Sequence, residues 1–373
     1  MMTGVLYLFY DLIAFHIISL CNTVIQWYNT VMDICFGKTG IMFGAPRDIV
    51  TIYKRNEDDY YTYRVPSLVV VGNGDMLCFA EARKYSSYDR GTVGLAVKRS
   101  YDGGDTWGDI HILFEAEGIT YGNPTTVYAN GALHLFFCKN NKQVYYMRSM
   151  DSAAHIWIKP TDITTEIIGM SEASVWIATG PGSALYNNNR LIVPVNYDGG
   201  SATFYSDTYG QTWSVSNKIN MGNECQVIRI GGDALMINCR YNTTNGRSTT
   251  LDTITSPRII TYSSDNGSTW EDVHMKWHMN TKYGRSTCHG SMISLKTGML
   301  YIGPENKIIR AGLSVWYSVM GSRWEKILTI DNGFSAYSTI TTLGDMHFIA
   351  YERGCAFDGM KPYTTDIVLY KLN

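Results

Sequence analysis

Little in this sequence commits it to nucleic acid, to a metal or to a disulfide scaffold. The charges nearly cancel, with 31 Lys and Arg against 33 Asp and Glu. No excess of one sign is left to hold a polyanion or an anionic bilayer, so basic residues must act singly, at defined places. The cysteines (Cys21, Cys35, Cys78, Cys138, Cys225, Cys239, Cys288 and Cys355) stand apart, with no CxxC spacing. That argues against a zinc site or a framework of bridges and for free, buried thiols in a reducing compartment. Asn-x-Ser/Thr triplets at Asn242 and Asn266 are too short a pattern to shift that expectation toward secretion. No Asp-rich loop predicts calcium, and neither a metal nor a cofactor is expected. Proline is scarce, at 9 residues, and helix-forming stretches are rare beyond residue 46.

A basic start is also missing. No Lys or Arg precedes Lys38, so the apolar residues 1–36 lack the charged head of a secretory signal. Asp11 and His16 interrupt the run that would span a bilayer, and one Asp at the bilayer centre costs about 2.5–3.5 kcal/mol. Three readings stand for the leader, residues 1–44: a poor membrane anchor, an amphipathic helix lying on a membrane or on the rest of the protein, or a disordered segment. A cytoplasmic or membrane-associated location is expected over secretion. The main body is expected over residues 45–373.

What the chain has in quantity is glycine (35) and tyrosine (27). Short Val/Ile/Tyr/Thr/Phe runs alternate with Gly/Asn/Asp turns. Residues 67–83 and 125–138 each read as strand, tight turn, strand. The class is all-β, and 373 residues are enough to bury a large core as one domain.

A repeat sets the architecture. Ser100, Asp102, Gly104, Thr106 and Trp107 fit S-x-D-x-G-x-T-W, and Ser263, Asp265, Gly267, Thr269 and Trp270 fit it again. A third copy, Ser206 to Trp213, has its Asp one place early, at Asp207, with Thr208 where Asp belongs; one looser turn is expected there. Worn copies run from Ser149 and Asp151 to Trp157, and from Ser318 and Gly321 to Trp324. In such a turn Asp accepts backbone N–H bonds, Gly supplies positive φ, and Trp packs back on the sheet. The tryptophans recur at 107, 157, 213, 270 and 324. A period in this range, with about four strands per unit, predicts propeller blades. Five marked blades plus one shared between the two ends of the body give a six-bladed β-propeller.

These turns resemble the Asp-boxes of the sialidase (neuraminidase) superfamily. Tyr63-Arg64-Val65-Pro66-Ser67 is similar to that family's Phe/Tyr-Arg-Ile-Pro signature, and from about 47 to 370 the body resembles the animal cytosolic-type sialidases. Phe79 to Arg83, Gly180 to Gly182, Glu224 to Val227 and Cys288 to Ser291 carry further likeness. The resemblance implies an exo-α-sialidase acting on sialylated glycoconjugates, with no nucleic-acid partner and no obligate protein partner, and with a membrane contact only through residues 1–36. A non-catalytic sialic-acid-binding propeller is the alternative.

The resemblance also implies roles. Sialic acid bears a carboxylate on its anomeric carbon, which suits the planar fork of Arg. Arg64, Arg240 and Arg310 match the family's three arginines, and Glu352 the acid that orients the first. Tyr337 matches the nucleophile, Glu224 its base, and Asp89 the general acid on a loop. A neutral phenol attacks without the repulsion that a carboxylate nucleophile would meet. Glu81 and Arg83 match contacts near C4 of the sugar. Tyr197 is the candidate for the glycerol side chain, although Asn196, Asp198 and the neighbouring glycines depart from the family's pattern.

Overall fold

A computed structural model describes residues 49–174, 176–241, 258–272, 275–277, 288–306, 310–321, 323–358 and 361–372. The leader expected over 1–44 lies outside the described residues. Among the described residues no helix is long and apolar enough to cross a membrane.

The described chain is nearly all β; one short helix, Thr164–Ile168, interrupts it. Asn130 and Gly131 both take positive φ, which lets Tyr121–Ala129 turn directly into Ala132–Lys139. The first sheet runs Thr62–Val70, Met76–Arg83, Val93–Ser100, His111–Phe114 in chain order. The second starts at Tyr121–Ala129, the third is built around Arg190–Tyr197 and Gly200–Ser206, and the fourth starts at Gly222–Gly231. The last sheet has seven strands. Its long strand Glu325–Leu343 pairs through its first half with Ala311–Ser318 and through its second with Met346–Asp358. At its far edge Ile49–Tyr53 pairs with Lys361–Leu372, Ile49 opposite Tyr370.

Strands such as Met76–Arg83 are buried on both faces, because each sheet lies between two others. Hydrophobic clusters fill the gaps. Phe79 and Leu95 of the first sheet meet Leu133, Leu135 and Phe137 of the second. Phe136 and Tyr146 meet Val193 and Phe204, Ile192 meets Val227 and Ile237, and Met236 meets Met299 and Trp316. Within the seven-stranded sheet itself, Leu300 and Val315 meet Ile349 and Val368. Finally Ile367 and Leu369 of the last sheet pack with Leu68 and Ala80 of the first.

The repeated turns pin this packing. Asp102 accepts from the Thr106 amide (2.9 Å), and Ser100 Oγ from the Gly104 amide (2.8 Å). Asp265 and Ser263 do the same for Thr269 and Gly267. Trp107, Trp157, Trp213, Trp270 and Trp324 each enter a different cluster. The third turn corrects the expectation of a loosened copy. Thr208 Oγ1 takes over the Asp role and accepts from the Thr212 amide at 2.9 Å. Asp207 points elsewhere, to Arg190. Asn266, in one of the Asn-x-Ser/Thr triplets, is buried and donates its amide nitrogen to Asn187 O. Cys78, Cys138, Cys225, Cys239 and Cys288 are free and buried.

Candidate active site

Strands of several sheets carry the site, and Thr62–Val70, Tyr121–Ala129, Gly222–Gly231 and Glu325–Leu343 are irregular near it. Register shifts fall between Arg64 and Ser67, Gly122 and Thr125, Gly222 and Cys225, and Ser335 and Ser338. A bulge inserts a residue and re-aims its neighbours. At the first, Pro66 has no N–H to give a ladder, and Val65 takes a φ of 55°. For a β-branched residue that backbone is strained. It turns the Val65 amide onto Glu352 Oε1 at 2.8 Å.

Glu352 is fully buried and accepts Arg64 through both oxygens: Nε to Oε1 and Nη2 to Oε2, each 3.1 Å. This fork fixes the guanidinium plane. Arg83, two residues from Glu81, donates Nε and Nη2 to Glu81 Oε2 at 3.0 and 2.5 Å. Glu81 Oε1 is held in turn by the Asn123 amide at the second bulge (2.9 Å). Arg83 Nη1 reaches the Ser87 carbonyl and, at 2.8 Å, Asp89 Oδ1.

Asp89 stands in front of these arginines. Its side chain is 66% exposed, and Oδ1 is also 3.7 Å from Arg64 Nη1. Partial loss of water pushes its carboxyl up; Arg83, Arg64 and Arg310 outweigh that and hold it below the ordinary value. Asp89 is therefore held in its ionised form by these arginines.

Across the site, Tyr337 Oη donates to Glu224 Oε1. Glu224 Oε2 accepts from Arg240 Nη1 at 2.9 Å, and the same nitrogen lies 3.5 Å from Tyr337 Oη. The guanidinium carbons of Arg64 and Arg310 lie 5.3 and 5.4 Å from the centroid of the Tyr337 ring. Burial pushes Glu224 up, but Arg240 and the hydrogen bonds from Tyr337 and Arg240 bring it below its usual value. Burial and Glu224 push the Tyr337 phenol well up, against Arg240 and Arg310. The pair thus rests as a phenol on a carboxylate, with the proton already pointed at its acceptor.

The residues named from sequence are thereby located. Arg64, Glu81, Arg83, Asp89, Glu224, Arg240, Arg310, Tyr337 and Glu352 form one connected group. Tyr197 is not tied to it by any described contact: its ring lies under Lys218 Nζ at 4.3 Å and packs against the cluster between the second and third sheets. Two participants were missed. Asn123 contributes through its backbone, which no side-chain pattern reports, and His289 stacks on Tyr337. Among the described residues no group of His, Cys, Asp and Glu could hold a metal ion.

A family model described as BNR repeat-like domain matches residues 74–349. The chain belongs to the sialidase superfamily. An exo-alpha-sialidase of Arthroderma benhamiae is 24% identical over 56% of this chain, which spans only 58% of that protein. Sialidase-3 of Rattus norvegicus is 24% identical over 79% of this chain and 87% of its own length. The Trypanosoma rangeli sialidase, solved with 2,3-difluorosialic acid as a covalent intermediate, superposes with a TM-score of 0.67 at 21% identity. That match covers 88% of this chain and 57% of the trypanosomal one. At such identity the likeness bears on the fold: this chain has the propeller fold of the sialidases.

Proposed function

We propose that this chain is an exo-α-sialidase, a glycoside hydrolase that removes terminal sialic acid from glycoproteins, glycolipids or oligosaccharides with retention of configuration. The observation that carries the reading is the hydrogen bond from Tyr337 Oη to Glu224 among three arginines. A structural tyrosine has no need of a buried base. A six-bladed propeller is the matching architecture, supported by hydrophobic clusters that link each sheet to the next and the last to the first.

The chemistry follows from the charges. Arg64, Arg240 and Arg310 bind the carboxylate on the anomeric carbon. Glu352 keeps Arg64 rigid, so its fork is aimed before substrate arrives. Tyr337 attacks the anomeric carbon as Glu224 takes its proton, and Asp89 protonates the departing glycosidic oxygen. A covalent tyrosyl-sialyl species results. Water, activated by Asp89 as base, then releases α-sialic acid and restores the phenol. The trypanosomal covalent complex supports a two-step route by analogy. Arg83 and Glu81 border the sugar near C4.

Asp89 must carry a proton to act as acid, yet it rests ionised between Arg83 and Arg64. Substrate resolves the conflict. Its carboxylate neutralises Arg64 and Arg310, and two of the cations that held Asp89 acidic lose their effect.

The test is release of fluorophore from 4-methylumbelliferyl sialic acid between about pH 4 and 7, comparing wild type with Asp89→Ala and Tyr337→Phe. Turnover by wild type, with loss of about 10²-fold or more in each variant, supports the assignment. Near-full activity of Tyr337→Phe removes the nucleophile. Binding of 2-deoxy-2,3-didehydro sialic acid without turnover by wild type would make the protein a sialic-acid-binding propeller.

A further inference from the structure

His289 is the buried titratable group beside the reacting tyrosine that the scheme above leaves idle. Its side chain is 1% exposed, and among the described residues neither ring nitrogen has a hydrogen-bond partner. Burying two unbonded polar atoms lowers stability. An apolar ring of similar size would avoid that loss, so the position is not shaped by stability alone. What the imidazole does touch is Tyr337: the rings lie 5.6 Å apart, centroid to centroid, at 18°. This is a stacked pair.

The surroundings fix the charge state of that ring. Burial disfavours the imidazolium; Glu224 favours it; Arg258 and Arg240 oppose it, and the imidazole is pushed down to about 4. Cys288, next in the chain, is a buried thiol pushed up by burial. Arg258 is itself buried, with only neutral partners described: Asn238 Oδ1, the Cys288 carbonyl at 2.9 Å and the Tyr301 ring at 5.2 Å. An imidazolium would crowd a further cation beside Arg258 and Arg240. A neutral one offers a flat face to a phenol that already lies near the guanidiniums of Arg64 and Arg310.

We propose that His289 is a positioning residue: a neutral aromatic plate that holds the Tyr337 ring so that Oη stays on Glu224 and aligned with the anomeric carbon. The inference rests on the retaining reading given above. It makes the ring face the functional part of His289, with neither nitrogen exchanging a proton. Nucleophile alignment is sensitive, since a shift of about 1 Å costs about 10²-fold in rate.

Three variants separate ring face, volume and nitrogen. His289→Phe keeps a plate, His289→Leu keeps bulk without one, and His289→Ala keeps neither. Each is assayed on 4-methylumbelliferyl sialic acid for kcat, KM and pH profile, and titrated calorimetrically with 2-deoxy-2,3-didehydro sialic acid. The expected result is kcat down about 10²-fold in His289→Ala and about tenfold in His289→Leu. His289→Phe should stay within about threefold of wild type with an unshifted pH profile. Inhibitor affinity should hold within about threefold throughout, because the arginines bind the carboxylate independently of the plate. Wild-type kcat in His289→Leu overturns the proposal. So does a His289→Phe enzyme that binds inhibitor yet is as slow as His289→Ala, since the nitrogens would then be the functional part. If His289→Ala fails to fold, the Phe and Leu pair decides alone. A wild type that binds the inhibitor but releases no fluorophore overturns the retaining reading itself, and this role with it.

Discussion

The two sides of the site handle buried charge in opposite ways. On the first-sheet side, each arginine owns a carboxylate: Arg64 is forked onto Glu352, and Arg83 onto Glu81. On the Tyr337 side, one carboxylate serves two donors, since Glu224 takes both Arg240 and the phenol. The first arrangement is complete before anything binds and has little freedom to change. The second is a shared bond, in which moving one proton alters every partner. A site that must recognise a fixed anion and also transfer a proton needs one of each.

Four changes sharpen or break that contrast. Glu224→Gln removes the shared acceptor; kcat should fall about 10²–10⁴-fold, a larger effect than the stability lost with the partly exposed Arg240 pair, as read by steady-state kinetics and thermal melting. Glu352→Gln should do the reverse, leaving a buried guanidinium without its counter-charge and lowering stability by about 3–5 kcal/mol in urea unfolding. A loss under about 1 kcal/mol would mean that Arg64 does not depend on its fork. The sides should also communicate through Asp89, whose carboxyl Arg83, Arg64 and Arg310 hold below its ordinary value. Inhibitor binding neutralises its cationic neighbours and raises it, so in mildly acidic buffer binding should take up protons and tighten as pH falls. Calorimetry in two buffers of different ionisation enthalpy reads this directly; Asp89→Asn should abolish the uptake, and none in wild type would uncouple the two sides. Smallest is Thr208→Val, which removes the hydroxyl that stands in for Asp and should cost about 1 kcal/mol in urea unfolding with kcat unchanged.

Much of this was legible because it is local. The Asn130-Gly131 turn, the tryptophan rhythm and the motifs around Arg64, Glu224 and Tyr337 are short-range patterns. What stayed hidden depends on distant partners. Thr208 reads as a defect until its hydroxyl is seen on the Thr212 amide. Asn123 acts through a backbone N–H, and the bulges that aim Arg64 and Tyr337 arise from strand pairing. His289 lies in a motif singled out from sequence, yet its use is set by a ring on a strand from another part of the chain. Tyr197 shows the reverse: the residue type suits sugar binding, and its described neighbours are a lysine and a hydrophobic cluster.

The pairing of Ile49–Tyr53 with Lys361–Leu372 has a consequence in time. The first described strand waits for the last. Contacts that span nearly the whole chain must overcome loop closure before they are rewarded, which slows folding. At about 5–20 residues per second, a nascent chain carries Ile49–Tyr53 for tens of seconds as an edge with unsatisfied N–H groups. Such an edge is a template for the wrong partner. Docking of this strand should therefore be the slow step of refolding, and the interval before it is when the chain is most exposed to aggregation and most in need of a chaperone.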